Sequence, residues 1–572
     1  MQFPPIHNVR NIKNLKDMLE QSTKFFADKS AFYIKCEDNS YKEITYANFK
    51  MDIDALGTVL LELGFKNESI ALIGENRYEW CASYLSIVNG VGVVVPLDRE
   101  LPIQEIQNLL VSSGANAIIY SGKILHDQLK QISPNLCNIR YYINMDLLQH
   151  EDDNFLSYKV LLDRGRQLLN SGIRNYIDAS IDEKVMTALI YTSGTTDYAK
   201  GVMLSHKNIC TNIISVTSSL HIDSNDSVLS ILPLHHTYEC TAGFLTMIYN
   251  GATISFNEGL KHIGKNLQET RPTILISVPL ILENMYKKIW LQAKKKKMLL
   301  MKLKLGLCVS NILYNIFKIN LRKKIFRQIH ENVGGRLRLI ISGAAGIEPL
   351  VSKGLHSFGL KIRQGYGLTE ASPIVAVNRD RVFRDDSAGL PLPGLDVKIN
   401  NPDDDGLGEI LVKGDSVMLG YYNNAAATES VLKNGWLHTG DIARMDKDGF
   451  IYITGRQKNV IVTKNGKNIF PEEVESYINK SPYIVESLVV GKIEEKTGET
   501  IVSAQIVPDT DVIKAKFKMD STPTDDVIYK LIKSEIKNIN KSMPLYKRIT
   551  DISLREMEFS KTTTKKIKRY LA

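Results

Sequence analysis

The sequence predicts an α/β fold: a large N-terminal domain of parallel-type sheets covered by helices, a β-rich subdomain, and a small α+β tail. Three observations predict it. Helix-like and strand-like segments alternate over the first two-thirds of the chain, and parallel strands require such crossovers. After about residue 395 the texture changes to shorter strands broken by Gly and Asp turns. The final stretch mixes apolar strands with one long polar helix.

In chain order, residues 54–64 read as a helix that Gly64 stops, and 69–74 as a strand. Helices are expected over 80–88 and 103–113, with strands at 91–95 and 117–120. The same alternation recurs around 185–260, 272–290 and 337–376. Short strands follow at 397–399, 409–412 and 450–453, then tail strands at 487–490 and 501–507 and a helix over 525–540. A length of 572 residues suits roughly three or four domain-sized pieces. The expected division is 1–455, with the β-rich part at about 395–455, and 456–572.

Composition is that of an ordinary globular chain, with 44% hydrophobic and 24% charged residues. Six cysteines are scattered with no Cys-x-x-Cys pair, which argues against a disulfide framework or structural zinc and for a reducing cytosol. The start, Met1-Gln-Phe-Pro-Pro5, lacks the basic and apolar stretches of an export signal. The longest uncharged run, 80–97, is interrupted by Asn89-Gly90 and closed by Pro96, so no membrane span is expected.

The net charge of +9 is unevenly placed. Between Asn284 and His330 there are thirteen Lys and Arg and no acidic residue. Apolar residues mixed with this charge fit either a solvated helix with one face on the core or a basic helix lying on an anionic membrane surface. Nucleic acid is not an expected partner, because aromatic residues are not interleaved with the charges.

The most chemically loaded segment is Tyr191-Thr-Ser-Gly-Thr-Thr-Asp-Tyr-Ala-Lys-Gly201. Hydroxyls, backbone N–H groups and one ammonium in a short loop suit a polyphosphate, although the Walker A spacing is absent. The alternative is a polar turn between a strand and a helix. Four further motifs follow in order. They are Leu232-Pro-Leu-His-His-Thr-Tyr-Glu239; Ile341-Ser-Gly-Ala-Ala-Gly346 with Gln364-Gly-Tyr-Gly-Leu-Thr-Glu370; Gly435-Trp-Leu-His-Thr-Gly-Asp441 with Gly455-Arg456-Gln-Lys458; and Lys561-Thr-Thr-Thr-Lys-Lys-Ile-Lys-Arg569.

With these motifs in this order, the chain resembles the superfamily of adenylate-forming enzymes, which includes acyl-CoA synthetases, firefly-type luciferases and adenylation domains of peptide synthetases. Within it the chain looks most like bacterial long-chain fatty-acid–CoA ligases, on His235 to Glu239, Ser277 to Glu283 and the basic insertion before Arg336. The resemblance implies that a fatty-acid carboxylate attacks the α-phosphorus of ATP, giving acyl-AMP and pyrophosphate, and that the thiol of CoA then takes the acyl group. Charge develops on phosphate oxygens, so positioning and positive charge dominate catalysis.

The resemblance also implies roles for particular residues. Thr192, Ser193, Gly194, Thr195, Thr196 and Lys200 would cradle the β- and γ-phosphates. Glu370, with Thr192, would hold Mg²⁺. Thr369 would bond the α-phosphate. Tyr366 would stack near adenine in a slot lined by Gly343, Ala344, Gln364, Gly365 and Gly367, the glycines admitting close backbone approach. Asp441 would accept from the ribose hydroxyls and Arg456 would donate to that sugar; the alternative for Asp441 is a turn aspartate.

A mobile C-terminal lid would rotate about Lys458, bringing Lys566 to the α-phosphate in one state and Gly466 beside a pantetheine arm in the other. Lys565 stands where the family has glycine, which leaves Lys565 and Lys568 as neighbours of the expected catalytic lysine. Asp197 likewise replaces a usual glycine. His236 is expected to border the acyl pocket, or else to be a packing histidine, and His206 is expected to be structural. The rival acceptor is the pantetheine of an acyl carrier protein, and the rival class is a catalytically weak adenylate-binding protein.

Overall fold

A computed structural model describes residues 3–192, 199–462, 468–494, 500–517, 519, 521, 523–561 and 567–569. The chain packs as two compact units, Met1–Val397 with Val412–Leu437, and Lys398–Leu411 with His438–Ala572.

Two mixed sheets build the first unit. In one, the runs expected as strands at 69–74, 91–95 and 117–120 lie side by side, and two strands not expected from the sequence, Tyr141–Asn144 and Phe155–Ser157, extend them. Gly92–Leu97, Glu68–Ile73, Ala115–Tyr120, Tyr141–Asn144 and Phe155–Ser157 are all parallel. Met186–Thr192 continues this sheet in parallel, and then the direction reverses. Lys200–Ser205 pairs antiparallel with Met186–Thr192, and Gly420–Tyr421 pairs antiparallel with Lys200–Ser205 at the edge. The described elements on either side of residues 193–198 are thus two antiparallel strands, not a strand and a helix. The helix follows only at His206–Thr217, after the second strand.

The other sheet has nine strands. Its parallel centre runs Ile362–Gly367, Leu339–Ser342, Ile274–Ser277, Ser227–Ser230, Thr253–Phe256 and Ser30–Lys35. Antiparallel strands close both ends. The central strands Ile274–Ser277 and Leu339–Ser342 are buried at every residue, while helix Tyr78–Val88 packs its buried, largely apolar face on Glu68–Ile73 and Gly92–Leu97 of the first sheet.

In the second unit a three-stranded sheet, Ile484–Ile493, Thr500–Pro508 and Ile549–Leu554, carries helices Pro471–Ile478 and Asp525–Asn540. Val474 and Ile478 on the first helix and Ile528, Leu531, Ile532 and Ile536 on the second recur every three or four residues, and all enter one core. Among the described residues no helix is long and apolar enough to cross a membrane.

Candidate active site

One helix ties the candidate site together. Ser205 caps helix His206–Thr217 in a reciprocal box with Asn208. The Asn208 amide donates to the carbonyls of Asp415 and Val417 at 2.8 and 2.9 Å. One turn on, buried Asn212 donates to the carbonyls of Ile374 and Ala371 at 2.7 and 3.3 Å. The helix therefore clamps both the 415–418 segment and the turn Thr369–Ala371. The Met418 N–H closes the arrangement by donating to the Glu370 carbonyl at 2.9 Å.

Three residues further, Tyr421 pairs with Val202 at the sheet edge. Its hydroxyl donates to Glu370 Oε1 at 2.9 Å, while Lys200 Nζ sits 4.8 Å from the centre of its ring. The buried ring thus spaces a carboxylate and an ammonium, attracting the latter through its π face. Thr192 stands opposite Lys200 in the ladder, its hydroxyl donating to the Lys200 carbonyl at 3.4 Å. Thr369 Oγ1 lies 3.3 Å from Thr237 Oγ1.

Thr192, Lys200, Thr369 and Glu370 are each half-buried, so they are held by the fold yet open to a ligand. Such a set suits a polyphosphate. The Glu370 carboxylate and Thr192 hydroxyl are hard oxygen donors, which fit Mg²⁺ arriving on phosphates and keeping most of its ligands as water and phosphate oxygen.

The turn Leu232 to Glu239 lies behind this cluster. Asn76 fixes it, donating to Ser230 Oγ at 2.8 Å and the Leu232 carbonyl at 2.6 Å and accepting from the Leu234 N–H at 3.0 Å. His235 keeps only 9% of its side chain exposed, 3.6 Å from Asp98, and desolvation pushes its pKa down to about 4, so the ring is neutral. Its half-buried neighbour His236 packs on it with ring centres 4.3 Å apart.

Glu239 is fully buried and accepts from Ser230 Oγ at 2.6 Å, while its Oε2 has no hydrogen-bond partner among the described residues. Burial raises its pKa to about 8, so it sits there as a neutral acid. It opens the π-helical turn Glu239–Leu245, in which Gly243 leaves room for its carboxyl. His206 is also buried and neutral, bonded to the Leu15 N–H, Thr187 and the Val88 carbonyl, as befits a structural residue.

The residues expected to form an adenine slot cluster on strand Ile362–Gly367 and the loop after Leu339–Ser342. Their glycines meet protein atoms of their own fold. A Cβ at Gly343 would lie 2.7 Å from the Tyr238 ring, and one at Gly367 2.1 Å from the Pro373 carbonyl. Gly365 pairs with Val377 and Tyr366 with Ala376 in the same hairpin. The Gln364 amide is engaged with the Ile347 N–H at 2.6 Å and the Ser387 carbonyl at 2.7 Å, making it a strut for the loop that carries Ala344. Ala344 itself has φ 69°, a left-handed conformation.

In the second unit, Asp441 and Arg456 face each other across a hairpin, with Arg456 Nε 3.0 Å from Asp441 Oδ1. Asp441 is buried and Arg456 half-exposed, and the Thr439 hydroxyl accepts from the Asp441 N–H at 3.1 Å. Lys458 follows in the short turn Gln457–Asn459. Arg569 donates to Glu475 at 2.5 Å and to the Val489 carbonyl at 3.1 Å. Ser193, Gly194, Thr195, Thr196, Asp197, Gly466, Lys565 and Lys566 lie outside the described residues.

Sequence reasoning did not single out Tyr421, Thr237 or Asn212 as site residues. Their partners are distant in sequence, and only pairing across the fold brings them together.

The description "AMP-binding enzyme" matches residues 19–422, and "AMP-binding enzyme C-terminal domain" matches 458–571. A long-chain-fatty-acid–CoA ligase of Escherichia coli is 28% identical over 528 residues, covering 86% of each chain. A chloroplastic long-chain-fatty-acid–[acyl-carrier-protein] ligase of Arabidopsis thaliana is 26% identical over 561 residues, covering 86% of this chain and 76% of that one. Among solved structures, an anthranilate CoA ligase in complex with anthranoyl-AMP superposes with TM-score 0.75 at 20% identity, covering 99% of this chain and 97% of that one. With a family model spanning more than half its length, a two-unit α/β fold and a polyphosphate-type cluster, the chain belongs to the adenylate-forming AMP-binding enzymes.

Proposed function

We propose that the protein activates a long-chain fatty acid with ATP and Mg²⁺ and transfers it to CoA. The carboxylate oxygen attacks the α-phosphorus, the bond to the bridging β-oxygen breaks, and pyrophosphate leaves with the electron pair. The CoA sulfur, its proton lost to solvent, then attacks the acyl carbon, and AMP leaves as the C–O bond breaks. The observation that carries this reading is the Lys200–Tyr421–Glu370 arrangement, an ammonium and a carboxylate spaced by one ring beside the Thr369–Thr237 hydroxyl pair.

In this reading Lys200 offsets charge on the departing phosphates, and Thr369 orients the α-phosphate. Mg²⁺ held by Glu370 and Thr192 would supply further positive charge there. His236 borders the entry of the acid. The ribose roles of Asp441 and Arg456, the hinge at Lys458, the pantetheine passage at Gly466 and the catalytic role of Lys566 belong to the same proposal. The likeness to fatty-acid–CoA ligases supports long-chain acids and CoA.

A second reading, with an acyl carrier protein as acceptor, is favoured by the likeness to the Arabidopsis ligase. ATP–pyrophosphate exchange with fatty acids from short to long, followed by trapping with CoA or carrier protein, tests both. The expected result is exchange strongest with long-chain acids and a thioester on CoA. A thioester on carrier protein alone selects the second reading. ATP binding without exchange for any carboxylate makes the chain an adenylate-binding protein and removes the enzymatic proposal.

A further inference from the structure

Helix Lys297–Asn315 inverts the usual placement of apolar side chains. Only Ser310 of its nineteen residues is buried. Met298, Met301, Leu305, Val309, Ile312 and the following Ile316 are all exposed, Met298 by 71%, Leu305 by 65% and Ile316 by 68%. Their spacing of three or four residues puts them on one stripe about 80° wide at 100° per residue. The opposite side of the helix packs on its own unit, toward helices Pro279–Lys294 and Pro349–Ser357. The sequence-level option of a solvated helix with its apolar face on the core therefore does not describe this stripe, which faces outward.

Charge frames the stripe at both ends. Lys294 to Lys297 precede it, and Lys318, Arg322, Lys323 and Lys324 follow, within the segment that contains no carboxylate. We propose that this helix is a docking surface for a bilayer carrying anionic headgroups, lying in the interface with the stripe in the acyl boundary and the lysines on the headgroups.

Three features favour a lipid surface over other occupants. The charge is of one sign and complements anionic headgroups. Eleven of the thirteen basic residues are Lys, a residue depleted from protein–protein interfaces but suited to membrane surfaces, where its long stem lies on apolar material while the ammonium stays wet. The stripe itself is aliphatic and thioether throughout, so it lacks the aromatic platforms that stack on nucleic-acid bases. The proposal does not rest on which acid the enzyme activates.

The test uses full-length protein and vesicles of neutral phosphatidylcholine with or without phosphatidylglycerol. The expected result is co-sedimentation with anionic vesicles only, weakened by salt. Binding should fall at least ~10-fold when Lys294 to Lys297 are all changed to Gln, and similarly for Leu305→Ser with Ile312→Ser. Because those variants could fold poorly, exposed Cys308 on the same helix provides a second readout. In a Cys36→Ser, Cys137→Ser background, a polarity-sensitive dye on Cys308 should shift to the blue on anionic vesicles alone.

An unshifted dye together with no co-sedimentation would overturn the proposal. So would vesicle binding unchanged in both folded variants. Self-association, or capture of purified acyl carrier protein, lost in the Leu305→Ser, Ile312→Ser variant without any vesicle binding would assign the stripe to that occupant instead.

Discussion

The turn Leu232 to Glu239 and the helix Lys297–Asn315 handle the same classes of side chain in opposite ways. The turn buries two ionisable groups and holds both neutral, His235 with its pKa depressed and Glu239 with its pKa raised. The helix keeps its lysines and its aliphatic stripe in solvent. Burial of a polar group is costly unless the group fixes something, and here it fixes the backbone that carries His236 and Thr237. Exposure of an apolar stripe serves no such positioning. The difference separates residues whose loss should damage the protein everywhere from residues whose loss should be felt only at a surface.

Four substitutions would sharpen or break that contrast. Glu370→Ala should have the largest effect, lowering kcat/KM for pyrophosphate exchange by ~10²-fold or more while costing only about 1 kcal/mol of stability, from the lost acceptor of the Tyr421 hydroxyl. A fall confined to stability would place Glu370 with the scaffold. Next, Glu239→Ala should destabilise the fold by about 2 kcal/mol in denaturant titration, because the Ser230 hydroxyl loses its buried acceptor and a cavity opens. A change under about 0.5 kcal/mol, the surface-substitution level, would mean water or a neighbour replaces it.

The third is a pH comparison of Glu239→Gln with the parent. The Glu239 pKa is about 8 when folded, above the usual 4.5, so the folded state binds the extra proton between those values. The parent should therefore lose stability relative to the Gln variant as pH rises from about 4.5 to 8, with no further change above. Parallel stability curves over that range would refute a neutral buried acid. The smallest effect belongs to the helix: Leu305→Ser should move stability by no more than ~0.5 kcal/mol in vesicle-free buffer. A loss of several times that amount would show that the stripe packs against protein.

Much of the architecture was readable in advance. The helix at Ile103–Ser113 and the tail helix Asp525–Asn540 fall where periodicity put them, because apolar spacing and a Gly or Thr boundary act locally. The direction of Lys200–Ser205 was not readable, since period-two alternation carries no sign of parallel or antiparallel pairing. Glu370 and Lys200 stood out as chemically suited side chains. Tyr421, which spaces them, did not, because nothing near it in sequence reveals a partner 51 residues away. The glycines around Gly343 and Gly367 were legible as close-approach positions, but not what approaches: a tyrosine ring and a carbonyl of the same fold.

The clamp on helix His206–Thr217 has a consequence for synthesis. Asn208 is bonded to a carbonyl 207 residues further along, and Asn212 to one 162 residues further. A nascent chain that has emerged only as far as Glu370 already carries the ammonium, the carboxylate and most of both sheets, yet has neither the 415–418 segment nor the tyrosine that spaces them. On the proposed reading of these residues as a phosphate site, nucleotide affinity should therefore arise late and abruptly during translation, only once the ribosome has passed Tyr421.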